Sequence, residues 1–141
     1  MRQQTLTILK PDTVARRRVG PIITRLEGEG FDIIAARRLR LSEEQARAFY
    51  AVHKERPFYH SLVAFMTEGP VWVMALARDN AVEHLRNVMG ATDPAKADAG
   101  TIRALHGTSI ERNAIHGSDS VENARTELAF FFPAAELTED L

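Results

Sequence analysis

Hydrophobic and polar positions along this chain change period several times, and each change marks an element. Thr5-Leu6-Thr7-Ile8-Leu9 alternates with period two and predicts a strand. Pro11-Asp12 stops it, with Asp12 or Thr13 placed to start a helix. Val19, Ile22, Ile23 and Leu26 then form one apolar stripe, closed by Gly28-Glu29-Gly30. Phe31 to Leu41 predicts a second strand, and Ser42-Glu43-Glu44-Gln45 is a capping box opening a helix through Phe49, Tyr50 and His53. The loop Lys54 to Tyr59 leads to a short helix over Ser61 to Met66, which Gly69-Pro70 breaks. Val71 to Leu76 is apolar almost without interruption, as in a strand buried on both faces. Asn80 is placed to cap a helix carrying Val82, Leu85, Val88 and Met89. The polar stretch Gly90 to Arg112 has little periodicity and reads as a functional loop.

The last third centres on Asn113-Ala114-Ile115-His116-Gly117-Ser118-Asp119-Ser120, which gathers one imidazole, a glycine and several small polar side chains. Gly117 suits a turn with positive φ, and Asp119 with Glu122 predicts a capping box for a helix bearing Val121, Ala124 and Leu128 on one face. His116 then precedes a helix N-terminus, where a nearby anion is favoured. Leu128 to Phe132 predicts a final strand ended by Pro133. This order of strands and helices points to an α+β fold. A ferredoxin-like sandwich is expected, with a four-stranded antiparallel sheet, helices on one face, extra helices and a long loop. Its length of 141 residues suits a single domain over 1–141.

Net charge is −1, with 18 basic and 19 acidic side chains, so no global basic field draws the chain to nucleic acid and any anion site must be local. The absence of cysteine excludes disulfides and thiol chemistry. The opening residues lack the layout of a signal peptide, and the longest apolar run, Val71 to Ala77, is too short to cross a bilayer. A cytoplasmic protein without membrane contact is therefore expected.

No Gly-x-x-x-x-Gly-Lys phosphate loop is present, and the residues after Gly30 fail the dinucleotide fingerprint. A phosphate ligand would need side-chain cations. Lys10 lies by alternation on the face of Leu6 and Ile8 at a strand end, and Arg86 and Arg103 sit on the helix after Asn80 and in the polar loop. Each alone reads as a solvated charge; converging with a histidine they would form a polyphosphate site. Phe58, on the rigid Arg56-Pro57-Phe58-Tyr59 turn, suits either the core or stacking on a nucleobase. His53, His60, His84 and His106 show no zinc-ligand spacing.

Five segments, Leu9-Lys10-Pro11-Asp12, Arg56-Pro57-Phe58-Tyr59, Gly90-Ala91-Thr92-Asp93-Pro94, Gly100-Thr101-Ile102-Arg103 and Asn113 to Ser120, together resemble the motif series of nucleoside diphosphate kinases. They occur in order over essentially the whole chain. The resemblance implies ping-pong transfer of a γ-phosphoryl group from a nucleoside triphosphate to a nucleoside diphosphate, with His116 as nucleophile. It assigns Lys10, Arg86, Thr92, Arg103 and Asn113 to phosphates and ribose, and Phe58 to the base. Tyr50, Ser118 and Glu127 match the residues beside the histidine, with Glu127 orienting its ring. Mg2+ is implied as an ion carried on the nucleotide's own phosphates. A homo-oligomer is implied too, a tetramer or hexamer, or else a dimer, and the chain's end at Leu141 leans toward a tetramer. One departure follows Arg103: the family usually shows an acidic then an aromatic residue, where this chain has Ala104-Leu105-His106-Gly107. The rival class is a ferredoxin-like module that binds nucleotides or single-stranded nucleic acid without turnover. His116 separates the two, since a binder has no use for a nucleophile.

Overall fold

The alternating N-terminal segment becomes β1 (Arg2–Leu9), one of two central strands in the computed structural model, which describes residues 1–139. Its partners are β3 (Val71–Asp79) on one side and β4 (Ile115–Gly117) on the other. With β2 (Asp32–Leu39) beyond β3, the antiparallel sheet has the order β2-β3-β1-β4. The register sets Leu6 opposite Ala75, Ile8 opposite Val73, and Ile8 again opposite His116. Alternation then divides the sheet into two buried faces.

Leu9, Met74, Leu76 and Ile115 pack under α2 (Val19–Gly28) and α5 (Ala81–Met89) through Ile22, Leu26, Leu85 and Met89. These are the two helices of a ferredoxin-like sandwich. Leu6, Ile8, Val73 and Ala75 on the opposite face meet the extra helices α3 (Glu43–Phe49), α4 (Tyr59–Met66) and α7 (Val121–Phe131), through Ala46, Val63 and Leu128. Full burial of each such aliphatic side chain contributes about 1.5–3 kcal/mol. Both faces of the sheet are thus covered, which accounts for the unbroken apolar run in β3.

Several local expectations are corrected. The final strand over Leu128 to Phe132 does not form: these residues complete α7 and run one residue past it, with Leu128 and Phe132 buried and Phe130 partly exposed. The helical period from Ala124 through Leu128 outweighs the strand preference of the aromatic run. The fourth strand is instead β4, which holds His116 itself. The cap of α7 is Ser120, whose Oγ accepts from Asn123 N at 3.0 Å, while the Asp119 carboxylate accepts from the Asn123 side chain. The first helix splits into α1 (Pro11–Ala15) and α2, with Arg17 left-handed at φ 58° between them. Asn80 precedes α5 in a left-handed conformation and makes no side-chain cap. The polar loop contains α6 (Ile102–His106), capped by Thr101.

Gly117 is not a positive-φ residue; the left-handed position of this segment is Ala114, at φ 76°. What Gly117 supplies is room, because a Cβ there would lie 2.6 Å from Met89 Sδ and 3.0 Å from Leu85 Cδ2. Both neighbours are buried and cannot swing away. Gly117→Ala is expected to destabilise the fold by about 1–3 kcal/mol through overpacking. Chemical denaturation would check this, with an unchanged midpoint removing the close-approach argument.

Candidate active site

The site starts from a three-residue turn. Ile115 N–H donates to Asn113 O at 2.9 Å across Ala114, the strained form of γ-turn, here held by complete burial. The Ala114 carbonyl accepts from Lys10 N at 2.9 Å and Thr13 Oγ1 at 2.7 Å. The end of β1 and the approach to β4 are thereby joined, bringing Lys10, Asn113 and His116 together.

On β4, the His116 carbonyl accepts from Thr7 Oγ1 at 2.8 Å, while its ring points to α7. Nε2 lies 2.7 Å from Glu127 Oε1, and Ser118 Oγ donates to the same oxygen at 2.9 Å. A carboxylate only accepts, so this contact assigns the ring proton to Nε2 and leaves the Nδ1 lone pair free. Ser118 is fully buried and its hydroxyl donates to Glu127, so it positions the carboxylate. The rings of Phe49 and Tyr50 stand at 72° and 89° to the imidazole, with centroids 5.5 and 6.3 Å away.

His116 opens into a cleft of about 750 Å³, also lined by Lys10, Tyr50, Phe58, Arg86, Thr92, Arg103, Asn113 and Glu127. Nine of the ten sequence-predicted residues therefore converge, and Ser118 stands just behind. Tyr50 has a buried hydroxyl without a partner, and burial followed by the charge of Glu127 pushes its pKa up, so the group stays a proton donor. Lys10 Nζ donates to Asn113 Oδ1 at 2.8 Å, and burial followed by the positive charge of Arg103 pushes its pKa down to about 8. Arg103, also buried, donates to Ile115 O at 2.8 Å and Gly90 O at 3.2 Å and keeps Nε unpartnered. Burial and the charge of Arg86 lower its pKa to about 10. Three cations gathered in one cleft, with no side-chain carboxylate bonded to them among the described residues, make a site poised for a polyanion.

Asn113 bridges Lys10 and the Thr92 carbonyl, the latter at 3.1 Å. Phe58, 46% exposed, forms a rim with Val52 and Ile110, at 84% and 62%, giving apolar surface where a planar base could rest. The sequence reading missed these two, together with Phe49, Glu111, Asn123 and Thr126, all on the cleft wall. Phe49 carried a signal, being next to Tyr50 at a helix end. Glu111 carried none, since Ser61 Oγ holds its carboxylate at 2.7 Å across 50 residues. A shallower recess of about 410 Å³ shares Arg86 and Asp119 with the cleft but lacks the histidine. Among the described residues no group of three or more His, Cys, Asp or Glu side chains is placed to hold a metal ion. No helix among them is long and apolar enough to cross a membrane.

An imidazole with one nitrogen anchored on a carboxylate, in a cleft lined by three cations, is an arrangement for covalent capture of a phosphoryl group. Comparison with known proteins agrees. The family model described as nucleoside diphosphate kinase matches residues 3–137. The nucleoside diphosphate kinase of Campylobacter fetus is 58% identical over 135 residues, 96% of this chain and 98% of that protein. That of Wolinella succinogenes is 57% identical with the same coverage. Among solved structures, the Aquifex aeolicus enzyme superposes with TM-score 0.94 at 41% identity, covering 96% of this chain and 99% of the other. The Halobacterium salinarum enzyme in complex with CDP also gives 0.94, at 38% identity, covering 100% and 94%. Sheet order, cleft and sequence agree, and the chain belongs to the nucleoside diphosphate kinase family.

Proposed function

We propose that this kinase moves the γ-phosphoryl group through His116 Nδ1, and that residues 1–141 act as one catalytic domain. Transfer between nucleoside triphosphates and diphosphates is the activity of the family to which it belongs. The observation that carries the assignment to His116 is the 2.7 Å contact between Nε2 and Glu127, which leaves Nδ1 as the nucleophile. In the first half-reaction Nδ1 forms a bond to the γ-phosphorus as the bond to the bridging oxygen breaks, and the diphosphate leaves with that electron pair. Lys10, Arg86 and Arg103 offset the negative charge on the phosphates, and Tyr50 donates to a phosphoryl oxygen. Glu127 balances the positive charge that the ring gains. A second diphosphate then reverses these steps. Mg2+ bound to the nucleotide phosphates would supply further charge neutralisation. Phe58, on the rim that also carries Ile110, accepts any base on its face, and Thr92 and Asn113 complete the phosphate and ribose contacts.

The test is initial-rate kinetics with varied ATP and a second nucleoside diphosphate: parallel double-reciprocal lines are expected, and intersecting lines would replace the covalent intermediate with direct transfer. Self-association into a tetramer or hexamer belongs to this reading, with β2 at the edge of the sheet, and the absence of cysteine fits a cytoplasmic setting.

A pH prediction follows from Lys10. Its charge is needed for phosphate, so kcat/KM is expected to fall as pH rises through about 8. Stability moves the opposite way. The unfolded lysine keeps its proton to about 10.5 while the folded one releases it near 8, so the fold gains up to about 3 kcal/mol across that window. Activity lost while the denaturation midpoint rises would identify titration in the site, whereas parallel losses would mean alkaline unfolding. In Lys10→Met both effects should vanish.

A further inference from the structure

Glu127 holds the His116 ring at one point only. A ring fixed at Cβ and at Nε2 can still tilt about the line joining them, and that tilt swings Nδ1 away from the phosphoryl group. Something must block it. The Tyr50 ring stands on one side, but Tyr50 is anchored within its own helix end and does not touch α7 by any ring pair. Phe49 does. Its ring meets His116 at 5.5 Å and 72°, Phe130 at 5.4 Å and 65°, Phe131 at 5.1 Å and 51°, and Tyr50 at 4.9 Å and 89°. Phe130 and Phe131 follow Glu127 on α7, so this one ring keys the nucleophile to the helix that carries its partner. Phe49 also lines the cleft and is only half-buried, so its ring faces both the core and the site.

We propose that Phe49 is a positioning residue for phosphoryl transfer: it fixes the plane of the His116 ring so that Nδ1 stays aimed at the γ-phosphorus while Nε2 stays bonded to Glu127. Flat edge-on packing matters more than apolar volume, because a branched aliphatic side chain fills space without presenting a plane. The energetic lever is alignment, for which misplacement by about 1 Å costs on the order of 10²-fold in rate.

The inference rests on His116 as the phosphorylated residue, and the experiment separates the two. Phe49→Leu and Phe49→Tyr are compared with the wild type in single-turnover formation of the phosphoenzyme from ATP, with nucleotide affinity measured in parallel and the modified residue mapped. Phe49→Leu should slow phosphorylation by roughly tenfold or more with nucleotide affinity changed less than about twofold, and Phe49→Tyr should restore most of the rate. Phe49→Ala would remove four ring contacts at once, so the judgement rests on the two larger variants at a temperature where both are folded by near-ultraviolet circular dichroism. Equal rates in Phe49→Leu and Phe49→Tyr would overturn the inference and return Phe49 to packing. Label on a residue other than His116 would instead contradict the function proposed above.

Discussion

His116→Ala is expected to abolish phosphoryl transfer, lowering kcat by at least roughly 10⁴-fold, the scale seen when a covalent nucleophile is removed. The imidazole supplies the bond-forming lone pair, and the other candidates in the cleft are placed otherwise: Lys10 is engaged with Asn113, Tyr50 keeps its proton, and the His53 ring packs against Phe58 at the rim. Nucleotide affinity should change little, because Lys10, Arg86, Arg103 and Phe58 stay in place. The fold should survive, since the pairing of Ile8 with residue 116 uses backbone atoms and the ring is partly exposed. Glu127 would lose one partner and keep Ser118. Equilibrium binding of a nucleoside diphosphate beside steady-state turnover checks both halves. Retained turnover would move the nucleophile elsewhere, and lost binding would mean that the ring does more than react.

Arg103→Ala carries the second-largest effect. A guanidinium buried without a counter-carboxylate is costly in the free protein, and an incoming polyphosphate offsets that cost. Losing it should reduce kcat/KM by about 1.5–3 kcal/mol or more, roughly 10- to 150-fold, the range for hydrogen bonds to charged groups. Arg103→Lys should not restore it, because one ammonium cannot reach Ile115 O, Gly90 O and a phosphate at once. The same geometry predicts that a nucleoside diphosphate raises the melting temperature of the wild type more than that of Arg103→Ala. Equal ligand-induced shifts would place Arg103 outside the phosphate site.

The elements with a full period were legible before any coordinates. β1, β3, α2 and α5 each carry an alternating, continuous or 3.6-residue apolar pattern, and they form the frame of the sandwich. β4 was not legible, because three residues reading Ile-His-Gly are too short to show alternation, while Phe130-Phe131-Phe132 imitates a strand. The site was legible as a set of motifs and not as a constellation. Nothing in the spacing of Lys10 and Asn113, 103 residues apart, says that they bond. The strained turn at Ala114 was equally hidden, since alanine gives no signal of a positive φ and the conformation is held by burial and by the bonds to its carbonyl. The binding-module alternative ends with the family assignment, and its separating feature, His116, is also where the geometry concentrates. His106, in the segment that departs from the family pattern, bonds to the linker between α1 and α2 through Arg16 and Arg18. The segment thus ties the loop to that linker, and Arg103 just before it lines the cleft.

The central claim is a phosphoryl group held on one nitrogen of His116. It is tested most directly by incubating the protein with γ-labelled ATP, without an acceptor, and mapping the label. The account predicts an acid-labile, base-stable phosphoprotein with the label on His116, discharged on adding a nucleoside diphosphate. An acid-stable label, a label on any other residue, or one that an added diphosphate does not remove would contradict it.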